Sequence, residues 1–157
     1  MDRRNILSLS ASVALGLAVL PISAVAQPAE NDKVKAALDA FNAALSSLDI
    51  GKMDAVWAHD EDAMLINPRD KTISVGWDAV KKNWQTTFAF WSELKVTRAS
   101  GPIRVSGNVA WAMGAAEVVG QSKAGAAVSL PTFESDVFEK RGDRWLLVSH
   151  SAWRIPA

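Results

Sequence analysis

The 157-residue sequence predicts a single α+β domain, with helices packed on one face of a curved antiparallel sheet. Three observations point there. Apolar residues recur at spacings of three and four through the first half of the chain. Beyond Trp91 the pattern changes to long strand-like runs divided by short turns. The helices therefore come first and the strands follow as a meander.

The segment before the domain reads as an export signal, 1–26. Arg3 and Arg4 form a positive start, an apolar stretch runs from Ile6 to about Leu20, and Pro21 interrupts it. Ala24-Val25-Ala26 then supplies a small-x-small cleavage site. The paired arginines before Asn5-Ile6-Leu7 resemble a twin-arginine signal. Cleavage after Ala26 leaves the domain 27–157 with 15 basic and 16 acidic residues, since Asp2, Arg3 and Arg4 are lost from totals of 17 and 17. The expected location is periplasmic or secreted, with no stable membrane insertion once the signal is gone.

Within the domain, Asn31-Asp32 offers a cap for a helix whose apolar stripe is Val34, Leu38, Phe41, Leu45 and Leu48. Gly51 is expected to end that helix, and a short second one covers Lys52 to Ala58. Ala63–Ile66 is a compact apolar run closed by the turn residues Asn67-Pro68-Arg69-Asp70, with Thr72–Val75 as the returning strand. Gly76 opens a third helix with Trp77, Val80, Trp84, Phe88 and Trp91 on one stripe. The strands expected after it are Ser92–Val105, Val109–Gly120, about Val128–Lys140 with Pro131 near its start, and Arg144–Arg154.

Composition narrows the chemistry. The chain has no cysteine, which removes disulfides, thiolate metal sites and a cysteine nucleophile. It has no tyrosine either, against seven tryptophans, so a phenol takes no part in any reaction. Equal numbers of basic and acidic residues argue against a nucleic-acid partner. Glycine-rich phosphate loops and the GxSxG nucleophile elbow are missing. His59, Asp60, Glu61 and Asp62 look like metal ligands, but adjacent residues rarely converge on one ion, and no metal and no cofactor is expected.

The stretches "DEDAMLINP", "VGWDAV", "GNVAWAMG" and "RWLLVSHSAWRIP" occur in an order that resembles the SnoaL-like branch of the nuclear transport factor 2-like superfamily. The resemblance spans Asp32–Pro156. It implies a cone, a curved antiparallel sheet with about three helices on its concave face, a pocket between the two, and frequently a dimer through the outer sheet face. It does not imply one activity, since members include isomerases, dehydratases, cyclases and proteins that only bind or assemble. In ketosteroid isomerase, a relative, the general-base aspartate directly precedes a proline at the end of the hairpin strand. Here that position is Asn67, before Pro68, and an amide cannot abstract a proton.

Strand parity places the remaining candidates. On the last strand Leu146, Val148, His150 and Ala152 share a face, and Trp145, Leu147, Ser149, Ser151 and Trp153 share the other. Ser149 and Ser151 therefore cannot pair with His150 as nucleophile and base. Trp111, Met113, Ala115 and Glu117 share a face of the strand two before it. The faces carrying His150 and Trp111 are assigned to the pocket, partly by the resemblance, and the face with Trp145 and Trp153 to a homodimer contact or a hydrophobic flank.

His150 is then the candidate base and Glu117 its carboxylate partner, although a lone histidine on an apolar face more often orders structure than reacts. Trp57, Met64, Asn67, Trp91, Trp111, Met113 and Val148 are the expected ligand contacts. The leading expectation is an exported domain that binds a small, largely apolar or aromatic molecule. A cofactor-free lyase or isomerase using His150 is the second reading, and a dimeric assembly module without a ligand is the third.

Overall fold

A computed structural model describes residues 26–99 and 101–156; all of the expected export signal except Ala26 lies outside the described residues. Three helices, α1 (Ala26–Ser47), α2 (Ile50–Val56) and α3 (Trp77–Phe90), lie against one seven-stranded sheet. The strands are β1 (Met64–Ile66), β2 (Ser74–Val75), β3 (Trp91–Arg98), β4 (Ile103–Ser106), β5 (Val109–Ser122), β6 (Ala127–Arg141) and β7 (Arg144–Arg154). Their order is β2-β1-β7-β6-β5-β3, with β4 also on β5. The pairings are antiparallel except that of β1 with β7, which makes the open, curved sheet mixed. No helix among the described residues is long and apolar enough to cross a membrane.

The helices form where apolar spacing gives them a buried stripe. Val34, Leu38, Phe41 and Leu45 of α1 and Val80, Trp84 and Phe88 of α3 are buried, and they meet Leu65, Phe138, Trp145 and Leu147 of the sheet in one core. Phe41 and Trp84 pack edge to face, with ring centroids 5.9 Å apart. Asn31-Asp32 does not cap α1, which already runs through both residues. The helix ends at Leu48, the one described non-glycine residue with positive φ, rather than at Gly51. Asp49 then caps α2 by accepting from the backbone N–H groups of Gly51 and Lys52 at 2.8 and 3.3 Å.

Two bulges decide which side chains face inward. The ladder of β6 with β7 steps from Val137↔Ser149 to Phe138↔Leu147, so Val148 is the extra residue. Parity reverses there. Trp145 and Leu147 thus join His150 and Ala152 on the inner face, which corrects the sequence assignment of Trp145 and Leu147 to the outer one. The second bulge lies at Ser92, between Trp91 and Glu93, and turns both Trp91 and Leu94 inward. Opposite it the chain needs Gly120, because a Cβ there would sit 2.2 Å from the Glu93 carbonyl oxygen. The long strand expected over Ser92–Val105 is accordingly two, β3 and β4, both held by β5.

Candidate functional site

A cavity of about 590 Å³ opens between α3, the β1–β2 hairpin and the inner face of the sheet. Leu94, Val96, Val118 and Leu130 supply an apolar waist, and Trp84, Phe90 and Trp91 supply aromatic wall. Polar groups gather at its floor, where Thr132, Glu134 and His150 line it. The volume lies within the range of ordinary small-molecule sites.

The floor is built by period-two alternation in β6. Leu130, Thr132, Glu134, Asp136 and Phe138 all point inward and are buried, so an apolar stripe carries three polar residues at its centre. Asp136 is the direct cross-strand partner of His150. Its Oδ1 accepts from His150 Nδ1 at 2.7 Å, and its Oδ2 accepts from Arg98 Nη1. Arg98, at the end of β3, also donates from Nη1 to Glu134 Oε2 at 3.3 Å. All four side chains are almost wholly withdrawn from water, with 6% or less exposed. A buried charge of either sign needs such partners: Arg98 has the two carboxylates through Nη1, and Asp136 has Arg98 and His150.

Because a carboxylate only accepts, His150 in its neutral form carries its proton on Nδ1 and keeps a lone pair on Nε2. Nε2 makes no hydrogen bond to another described residue. Phe41 and Trp84 hold the ring from its sides, at centroid distances of 4.9 and 5.9 Å. The histidine is therefore fixed in orientation and tautomer, with one free basic atom on a cavity-lining residue.

Glu134 sits diagonally across the ladder from His150, opposite Ala152. Burial pushes its carboxyl above the usual range, more than the opposing fields of His150 and Arg98 and the Thr132 hydroxyl pull it down, and the charge of Asp136 pushes the same way as burial. Thr132 Oγ1 lies 3.3 Å from Glu134 Oε1. A carboxyl that burial biases toward its protonated form in this way is the acid of the pair, able to hand a proton to a bound molecule.

The expected site residues divide sharply. His150, Asn67 and Trp91 line the cavity. Glu117 does not: it lies on the outer face of β5 and accepts from Ser129 Oγ at 2.6 Å, so the carboxylate partner of His150 is Asp136 instead. Trp111 and Met113 share that outer face, 41% and 48% exposed, and the face assignment made for this strand is inverted. Trp57 is sealed in the core against Phe41, Trp77 and Trp84. Met64 points to solvent, and Val148 is the bulge residue. His59 lies flat on Trp77, 4.5 Å between centroids, away from the cavity.

Asn67 stands at the rim. Its amide donates to Asn83 Oδ1 at 3.0 Å, and Asn83 in turn donates to Asp70 Oδ2 and Ser74 Oγ. This network clips the hairpin to α3 and uses Asn67 as a structural tie. Arg98, Thr132, Glu134 and Asp136 were not foreseen. The inward stripe of "LPTFESDVF", with acids at alternate positions between Leu130 and Phe138, was the signal that could have found three of them.

Residues 34–154 match the family model described as a SnoaL-like domain. The chain belongs to the SnoaL-like family. No curated protein matches it. Among solved structures, this SnoaL-like chain is similar to a nuclear transport factor 2-like superfamily protein from Salmonella enterica serovar Typhimurium, with 18% identity, 83% of this chain and 94% of that one covered, and a TM-score of 0.77. A candidate dehydratase of the same superfamily from Streptomyces avermitilis gives 18%, 83% and 99%, and 0.75. A ketosteroid isomerase-like protein from Erwinia carotovora atroseptica gives 20%, 82% and 98%, and 0.69. At these identities the likeness is one of fold.

Proposed function

We propose that this SnoaL-like domain is a cofactor-independent acid–base enzyme, a lyase or isomerase acting on a small, largely apolar molecule. The observation that carries this reading is the Asp136–His150 pair at the cavity floor, with Nε2 of His150 making no hydrogen bond to another described residue. Nε2 takes a proton from a carbon next to a carbonyl, and the electron pair of that C–H bond moves into a new C=C bond or an enol. Glu134 returns a proton to the oxygen that leaves as water or to the carbon that is reprotonated. Arg98 holds Asp136 and thereby positions His150. The dehydratase and isomerase descriptions of structural neighbours fit the same chemistry.

The test is proton NMR in D2O with 4-phenylbutan-2-one and 4-hydroxy-4-phenylbutan-2-one as probes. The wild type should exchange α-protons or eliminate water at least about 10²-fold faster than H150Q. Equal rates for the two proteins, with the probes bound, would leave a binding protein and overturn the reaction.

Export and self-association complete the proposal. The outer sheet face presents Trp111, Met113, Phe133 and Trp153, large apolar residues each more than 40% exposed, with Phe133 and Trp153 rings 6.5 Å apart. A patch of this kind on one face favours an isologous contact with a second copy. Native mass spectrometry of the protein taken from its host should give twice the mass of 27–157. The F133E/W153E variant should be monomeric, and a wild-type monomer would overturn the dimer.

A further inference from the structure

The cavity is chemically graded from floor to mouth, and the mouth carries unspent positive charge. Arg69 and Lys82 both line it there, and neither makes an ion pair with any described residue. Arg69 is not loose: its guanidinium carbon sits 3.9 Å from the centroid of the Phe90 ring, which lines the same cavity. That stacking covers one face of the guanidinium and leaves its in-plane N–H donors uncommitted.

Among the described residues lining this end, Asp70 is the only acid, and its Oδ2 already accepts from the Asn67 backbone N–H and from Asn83 Nδ2, both at 2.8 Å. The rim therefore has a net positive charge and a preset fork of donors. Between rim and floor, Leu94, Val96 and Leu130 offer nothing polar.

We infer that the substrate is an amphipathic carboxylate, with its anionic end held by Arg69 and Lys82 and its apolar body reaching down to His150. This rests on the proposed acid–base reading and names the substrate class for it. A planar carboxylate fits the edge of a stacked guanidinium in a two-pronged arrangement, with the lysine as a second point charge. The same rim repels an ammonium end and gives a neutral end no advantage.

The test compares three probes of one shape and different charge: 4-phenylbutanoate, 4-phenylbutan-1-ol and 4-phenylbutan-1-amine. Quenching of tryptophan emission reports binding, because Trp84 and Trp91 line the cavity. The carboxylate should bind about fivefold tighter than the alcohol, with the amine weakest, and the margin should shrink as salt rises. R69Q/K82Q, at two exposed positions, should keep its affinity for the alcohol and lose the preference for the carboxylate. Equal binding of alcohol and carboxylate by the wild type would overturn the inference, as would a preference that survives R69Q/K82Q, or no binding of any probe. H150Q should retain the preference while losing proton exchange. Exchange without a charge preference would remove the rim assignment and spare the reaction, and the converse would spare the rim alone.

Discussion

Asp136 Oδ1 stands 2.7 Å from His150 Nδ1, directly across the β6–β7 ladder, and the same carboxylate accepts from Arg98 on its other oxygen. The aspartate is thus the hinge of the floor: it balances a buried cation on one side and selects the histidine tautomer on the other. Removing it touches both stability and chemistry, and the two can be separated.

D136A leaves the Arg98 guanidinium buried beside a lost partner, at a site where Arg98 Nη2 already has none. Such a change is expected to destabilise by about 3–5 kcal/mol. R98M/D136L, which removes both charges and keeps apolar bulk, should lose far less than D136A. Urea denaturation of the two variants measures this, and equal losses would show that the two charges are not coupled.

Glu134 provides a pH signature of opposite sign to most carboxylates. Its folded-state value is raised, so the folded protein holds the proton more tightly than the unfolded chain. Stability therefore falls as pH rises from the ordinary value of 4.5 through the raised one. E134Q keeps the shape and removes the titration. Its melting temperature should exceed that of the wild type at about pH 8 and converge with it at about pH 4.

Glu30 behaves in the usual direction. Lys140, Lys33 and the Trp145 indole N–H all donate to it, at 3.0, 3.0 and 2.9 Å, and hold its carboxyl at about 2, well below 4.5. Its contribution is complete above pH 4.5 and is lost as pH falls toward 2. The melting-temperature gap between wild type and E30Q should narrow over that window. A constant gap would show that the contacts do not depend on the charge.

Two glycines on β5 test how tightly the inner face is packed. A Cβ at Gly120 would lie 2.2 Å from the backbone oxygen of Glu93, whereas one at Gly114 would meet the Arg98 Nε at 3.3 Å. Backbone cannot yield without opening the bulge, but a side chain can shift by tenths of an ångström. G120A is expected to cost more than about 3 kcal/mol, and G114A about 1 kcal/mol with a slower reaction from a displaced Arg98. Thermal denaturation of both variants decides the ranking.

The helices and most strands were legible because their cause is local. The stripes Val34–Leu38–Phe41–Leu45 and Val80–Trp84–Phe88 repeat at the helical period, and the turns at Gly107 and Gly142 both require positive φ. The faces were not legible, because a bulge is a tertiary event. One extra residue at Val148 reverses every inference drawn from parity across it, and nothing in "WLLVSHS" marks the spot. For β5 the alternation offered two faces of similar character: Ala110 and Ala112 on one, Trp111 and Met113 on the other. Parity with the larger side chains inward puts Trp111 and Met113 inside, yet Ala110 and Ala112 are the buried set, in one core cluster with residues of α1 and α3.

By itself, then, the sequence determined the α+β class, the family resemblance, the lack of cysteine and tyrosine chemistry, and His150 as the residue to watch, since each follows from composition, period or a short motif. The partnership of His150 with Asp136, the Arg98 and Glu134 beside them and the cationic mouth at Arg69 and Lys82 were decided only by the tertiary structure. Those groups come from β3, β6, β7, the hairpin and α3, and their meeting depends on ladder register and bulge position, long-range pairings that no local pattern encodes.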